Sequence, residues 1–260
     1  MEKSDIEHLT TSRLTSLREK WSKPDSRSGH TWDFDGVYHG IEYWKSYDHE
    51  MRGGLKVFGC KSFDDLVIVL GNKLDRKPNV IDLMGGAYFL KNPENTNSFT
   101  GIRVHDKDSD FFSFNEEIDD ELSVLTKKII SAPNRRIIEA DILTVKGWND
   151  IEKAEIPKAD LLVCRPVGPF DVRHAMTDGF DKSGGYVGLY LALFKRMLKL
   201  VNKEGGVIFT EIPDVYNTKE INKFLKDLDE KENSRSRLFT VPDKDYHWGR
   251  VKRKYVVTQF

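Results

Sequence analysis

Acidic and glycine residues recur at the ends of strand-like runs in this chain, and those ends are where its chemistry is sought. Asp82, Gly85 and Gly86 close the first run, with Met84 between them; His105 and Asp106 follow the second. Asp141 and Ile142 follow the third, Arg165, Pro166, Gly168 and Pro169 the fourth, and Glu211 and Pro213 stand at the fifth. An aspartate within such a strand holds a cationic group or fixes the loop, and glycine lets backbone approach a ligand that a side chain would exclude. A glycine pair alone also makes a tight turn from strand to helix. The recurrence at successive strand ends is what points to a site, because ligands of open α/β sheets bind beyond the carboxyl ends of the strands, where the strand order reverses.

The elements that position these residues follow from hydrophobic spacing. Ser62-Phe-Asp-Asp65 has the form of a capping box, and Phe63, Leu66, Val67 and Leu70 continue it at helical spacing. Asn79-Val-Ile-Asp-Leu-Met-Gly-Gly86 is a short buried-strand pattern turning toward a helix at its glycines. Further strands are expected at Phe99–Val104, Arg136–Ala140, Asp160–Cys164 and Val207–Ile212. Between them Ile118, Leu122, Leu125 and Ile129 share a helix face, and Val187, Tyr190, Leu191, Phe194, Met197, Leu198 and Val201 form a longer stripe ended by Lys-Glu-Gly-Gly206. Asn217-Thr-Lys-Glu220 is placed to cap a helix carrying Ile221, Phe224, Leu225 and Leu228, and Ser236–Val241 and Tyr255–Phe260 are two final strand patterns. Strands alternating with helices predict a doubly wound, mostly parallel seven-stranded sheet, and two strands in succession predict an antiparallel C-terminal edge.

Composition narrows the function. The 260 residues carry 41 Lys plus Arg against 42 Asp plus Glu, a net charge of −1 that offers no general attraction to nucleic acid or anionic membrane. No apolar run approaches the ~20 residues of a membrane helix, and the N-terminal residues lack the apolar stretch of a secretory signal, so the expected compartment is the cytoplasm. Cys60 and Cys164 form neither a disulfide framework nor a zinc site, and no metal is expected. The dinucleotide fingerprint G-x-G-x-x-G and the phosphate loop G-x-x-x-x-G-K-[ST] are both missing.

Val80-Ile-Asp-Leu-Met-Gly-Gly86 resembles the glycine-rich first motif of class I S-adenosylmethionine-dependent methyltransferases. Glu139-Ala-Asp141, Ala159–Val163 and Arg196–Phe209 are similar to later motifs of that family, in the same order, so the resemblance covers roughly residues 60 to 260. It implies a Rossmann-like methyltransferase fold with S-adenosylmethionine as cofactor. Asp82, Met84, Gly85 and Gly86 would lie along the methionine portion, Asp141 and Ile142 would meet the adenine, and Arg165 to Gly168, Pro166 included, would line the route from donor to acceptor. Two departures stand out. Arg103 occupies the slot where the family commonly has an acidic residue for the ribose hydroxyls, leaving Asp106 as the alternative, and Cys-Arg-Pro-Val at 164–167 replaces the D/N-P-P-Y/F signature of many amino-group methyltransferases.

Methyl transfer is an in-line displacement in which the protein aligns nucleophile, methyl and leaving sulfur. A hydroxyl acceptor also needs a base, and histidine suits that near neutral pH. His174 with Asp171 to orient it is the candidate from the core; His39 and His49 are rivals, and a surface histidine in a long loop is the alternative reading. Trp32, Phe34, Tyr38, Tyr43, Trp44 and Tyr47 crowd a polar, broken segment that fits a flap over the site, with Trp32, Tyr38, Trp44 and Tyr47 as candidate acceptor contacts; plain packing explains such aromatics equally well. The expected division is an N-terminal helical and aromatic cap over residues 1–75 and a donor-binding domain over 76–260. The basic run Arg250-Val-Lys-Arg-Lys254 reads as a solvated strand edge or as a contact for phosphate. The favoured activity is methyl transfer to a small-molecule acceptor, with RNA or protein as the other acceptor classes and a catalytically silent, methyltransferase-like binding subunit as the non-enzymatic alternative.

Overall fold

The computed structural model describes residues 47–48, 51–103, 120–140, 142, 145–164, 185–212, 218–240 and 254–260. Its elements run α1 (Arg52–Val57), α2 (Phe63–Leu74), β1 (Asn79–Leu83), β2 (Ser98–Arg103), α3 (Asp120–Ile130), β3 (Arg135–Glu139), α4 (Val145–Lys153), β4 (Leu161–Cys164), α5 (Gly185–Leu200), β5 (Val207–Ile212), α6 (Lys219–Glu232), β6 (Arg235–Thr240) and β7 (Lys254–Gln259). The strands form one sheet in the order β3-β2-β1-β4-β5-β7-β6. β1 to β5 are parallel, and β7 pairs antiparallel with both β5 and β6. This is the doubly wound sheet predicted from the alternation, in the Rossmann-like methyltransferase order. The antiparallel pair closes one side, with β6 outermost and the final strand one place in.

Burial follows position in the sheet. β1 and β4 are buried along their whole length, as strands covered on both faces must be, whereas β3 and β6 at the margins are half-buried to exposed throughout. One face carries α4, α5 and α6 through Trp148, Tyr190, Phe194, Met197, Ile221 and Leu225. The other face carries α1, α2 and the segment after β1 through Leu55, Phe63, Leu66, Ala87, Phe89 and Leu90. α1 and α2, which precede the boundary expected at residue 76, thus share the sheet's core. Ser62 caps α2 as its sequence predicts, its hydroxyl accepting from the Asp65 N–H while the Asp65 carboxylate accepts from the Ser62 N–H. Of the corresponding signal at Asn217–Glu220, Asn217 lies outside the described residues; α6 starts at Lys219, and its N-cap Thr218 makes no side-chain cap.

Two further differences matter. No α-helix follows the β1 glycines; residues 84–97 cross to β2 as irregular chain with a single short 3-10 turn at Pro93–Asn95. α4 is a helix that hydrophobic spacing alone does not announce. None of the helices among the described residues is long and apolar enough to cross a membrane.

At the amino ends of the central strands, Asp160 acts as a clasp. Its carboxylate accepts from Arg76 Nη1 and Nη2 at 2.7 and 2.8 Å, from the Asn79 N–H at 2.8 Å and from Asn202 Nδ2 at 3.1 Å. The side chain is fully buried while Arg76 is half exposed. Burial pushes this carboxyl's pKa up, but Arg76, the Asn79 N–H and Asn202 outweigh it and hold it below the ordinary carboxylate range. Asp160→Ala is expected to lower unfolding free energy by about 2 kcal/mol in urea titration, since it leaves the buried Asn79 N–H unpaired and removes the partner of a half-exposed guanidinium. Because the folded-state pKa is depressed, this contribution is present above the unfolded-state value near ~4 and is lost as pH falls through the folded-state value. The wild type should therefore lose more stability on acidification than the variant.

Candidate active site

The strand order reverses between β1 and β4, so the crevice lies beyond their carboxyl ends. Asp82, one residue before the end of β1, is 1% exposed and points to the face that carries α2. Its carboxylate accepts from the Ala87 N–H at 2.9 Å and from the Tyr47 hydroxyl at 3.3 Å. The charge therefore folds the loop back over its own strand. Met84 enters the loop in a left-handed conformation (φ 67°), its N–H donating to the Ile102 carbonyl at 2.8 Å, and Ala87 is left-handed as well (φ 56°).

The three glycines here serve close packing within the chain. A β-carbon at Gly85 would overlap the Asp82 carboxylate, one at Gly86 the Tyr88 ring, and one at Gly101 of β2 the backbone of Gly85 and Gly86. Met84 and Gly85 stay partly exposed at the strand end, while Gly86 is buried.

Arg103 ends β2 in the slot where the resemblance implies an acidic residue. It is 7% exposed, and its Nη1 donates to the Tyr88 hydroxyl at 3.1 Å. Arg135, at the start of β3, reaches the same ring, 4.7 Å from its centroid, and donates to the carbonyls of Gly86 and Ala87 at 2.7 and 3.3 Å. Two guanidinium groups thus hold Tyr88 and the loop carbonyls. Neither Tyr88 nor Arg135 stood out in the sequence, because their roles depend on a crossover without a helix.

Of the other predicted site residues, Ile142 lies with its side chain buried in the core, and its carbonyl accepts from Trp148 Nε1 at 2.7 Å. Tyr47 is buried, stacks on Phe89 at 5.0 Å and supports Asp82. Asp106, Asp141, Arg165, Pro166, Asp171, His174, His49, Trp32, Tyr38 and Trp44 lie outside the described residues, as does most of the basic run before Lys254. Cys164, the last residue of β4, is fully buried; burial first, then the Asp82 and Glu211 carboxylates, pushes its thiol pKa far up, so it stays protonated and is no nucleophile.

No protein-family model matches this chain, and no curated protein is similar to it. Among solved structures, a class I S-adenosylmethionine-dependent methyltransferase of Listeria monocytogenes, itself named only provisionally, is 14% identical, with 98% of this chain and 71% of that chain covered at a TM-score of 0.46. The N-methyltransferase NodS of Bradyrhizobium japonicum is 10% identical over 75% of this chain and 93% of its own, at 0.43. The precorrin-6y C5,15-methyltransferase of Geobacter metallireducens is 13% identical over 75% and 89%, at 0.39. At such identities the residues, and not the likeness, must carry a functional assignment.

Two measurements check this geometry. Asp82→Ala leaves the Ala87 N–H and the Tyr47 hydroxyl in buried surroundings, and is expected to destabilise the fold by about 2 kcal/mol in denaturant titration. The neighbouring Asp48 accepts from the Phe63 N–H at 2.7 Å, capping α2 from outside. Burial raises its pKa from 3.8 to about 6, the Phe63 bond opposing and Asp64 adding to the rise. A raised folded-state pKa means the stabilisation is complete below the unfolded-state value and is lost as pH rises through about 6. Thermal melts between pH 4 and 7 should show this decline in the wild type and a flatter profile in Asp48→Asn.

Proposed function

We propose that this chain is an S-adenosylmethionine-dependent methyltransferase that methylates a small-molecule acceptor in the cytoplasm, at a hydroxyl. The observation that carries the reading is the Asp82 carboxylate with its folded-back loop at the reversal point of a sheet in methyltransferase order. The β1 half of the site fits such a donor: a buried carboxylate with the partly exposed Met84 and Gly85 beside it suits an ammonium and a sulfonium. The donor supplies, when bound, a methyl group on a positively charged sulfur. The residues do the rest: Asp82 orients the loop and counters positive charge, Tyr47 holds that carboxylate in place, and His174 takes the acceptor's proton. The near-zero net charge favours a small acceptor over a polyanion.

Arg103 in the ribose slot favours a second reading, a methyltransferase-like protein that binds without catalysis. Incubation with donor labelled on its methyl group, together with separated small-molecule, RNA and protein fractions, distinguishes the cases. Label is expected in the small-molecule fraction, with the rate falling at least tenfold in His174→Ala. Label in RNA or protein would reassign the acceptor, and label in none would leave the binding reading.

A further inference from the structure

We propose that the outer edge of β6 docks an extended acidic segment of another protein, added antiparallel to the sheet with apolar residues alternating between its acidic ones. β6 ends the sheet, and among the described residues no strand pairs with its outer side. The ladder shows which of its backbone groups face outward. The Phe260 N–H donates to the Gly206 carbonyl, so the even-numbered residues of β7 bond toward β5 and the odd-numbered ones toward β6. Arg235, Arg237 and Phe239 are therefore the residues bonded to β7, and the N–H and C=O groups of Ser236, Leu238 and Thr240 point away from it. The Ser236 N–H agrees with this, donating outward to the Asp229 carboxylate of α6 at 2.8 Å. Leu238 and Thr240 carry the remaining outward N–H groups, which present a further strand with a ladder to join.

The two faces of this edge ask for different side chains. On the α6 face, Leu225 and Leu238 are the apolar lining of a groove of about 410 Å³ between α6 and β6. On the other face stand Arg235 and Arg237, both exposed, with Phe239 packed beyond them against the core. Side chains of a strand alternate between faces, so a segment laid along β6 sends one set toward the groove and the other toward the two guanidinium groups. Apolar residues suit the first set and carboxylates the second, since opposite charges on neighbouring strands attract and like charges repel. Charged residues guard an edge against indiscriminate pairing. Here the guard has one sign, and it admits an acidic strand while opposing a basic one. Antiparallel addition is the more stable of the two directions.

Fluorescence anisotropy of the full chain with short, end-capped, labelled peptides tests this. A peptide alternating glutamate with valine should bind at least tenfold more tightly than one alternating lysine with valine. The double variant Arg235→Glu, Arg237→Glu should reverse that order. Methylating the backbone nitrogens of the peptide's valines, which face β6 in antiparallel docking, should weaken binding at least tenfold with every side chain unchanged. Circular dichroism checks that the double variant folds; if it does not, the three peptides on the wild type decide. Equal affinity for the glutamate and lysine peptides, or no binding of either, would overturn the proposal. Unchanged affinity after N-methylation would overturn it too, leaving charge attraction without strand pairing. A dimer in sedimentation that the double variant abolishes would assign the edge to a second copy of this chain, against the proposal.

Discussion

The bare α-carbon of Gly101 lets the chain leaving β1 lie down on the sheet. A side chain there would strike the backbone of Gly85 and Gly86, and the loop would be lifted away from β2. Parallel neighbours need a crossover, and a helix is the usual way to satisfy its backbone. Here the crossover at 84–97 finds other partners: the Ile102 carbonyl for the Met84 N–H, the Asp82 carboxylate for the Ala87 N–H, the Asp64 carboxylate for the Lys91 and Asn92 N–H groups, and Arg135 for two carbonyls. Ala87, Phe89 and Leu90 then supply the buried apolar surface that a helix would have supplied.

Such a segment tolerates strained backbone because its ends are over-determined. Met84 and Ala87 both hold positive φ, each at a cost of about 1 kcal/mol for a residue with a β-carbon. The bonds above offset that, and the Met84 side chain packs against the core on the α5 face. The strain is located at the carboxyl end of β1, where the strand order reverses.

Most of the sheet was legible because buried parallel strands leave largely apolar runs: Val80–Leu83, broken only by Asp82, Leu161–Cys164, and Val207–Ile212, apolar through Phe209, are all found as strands. The α5 stripe was equally plain, with Tyr190, Phe194 and Met197 buried together and the left-handed Gly205 (φ 93°) in the turn beyond. α4 was not, since Val145, Trp148 and Ile151 are too few to mark a period among polar neighbours. The helix expected after the glycine pair failed for a tertiary reason. Ala87-Tyr-Phe-Leu90 is apolar at every position, which fits buried chain of any kind, and its conformation is set by Arg103 and Arg135 far along the sequence. At the site, Asp82 was visible from its place in a run, whereas its partner Tyr47 was legible only as an acceptor contact or as plain packing. A stacked, buried tyrosine and an exposed one look alike in sequence.

The register of β1 and β2 places an acidic and a basic residue on neighbouring strands. Asp82 pairs with Gly101, so Arg103 stands two residues further along the neighbouring strand, and both side chains leave the sheet on the same face. Each is almost fully buried, so the field between them is weakly screened. A ligand laid across the two strand ends therefore meets a negative potential over β1 and a positive one over β2. A zwitterion or dipole with its cationic end toward Asp82 and its anionic end toward Arg103 is complementary to that field; the reversed orientation is opposed at both ends. The two side chains thus set opposite potentials over the ends of β1 and β2.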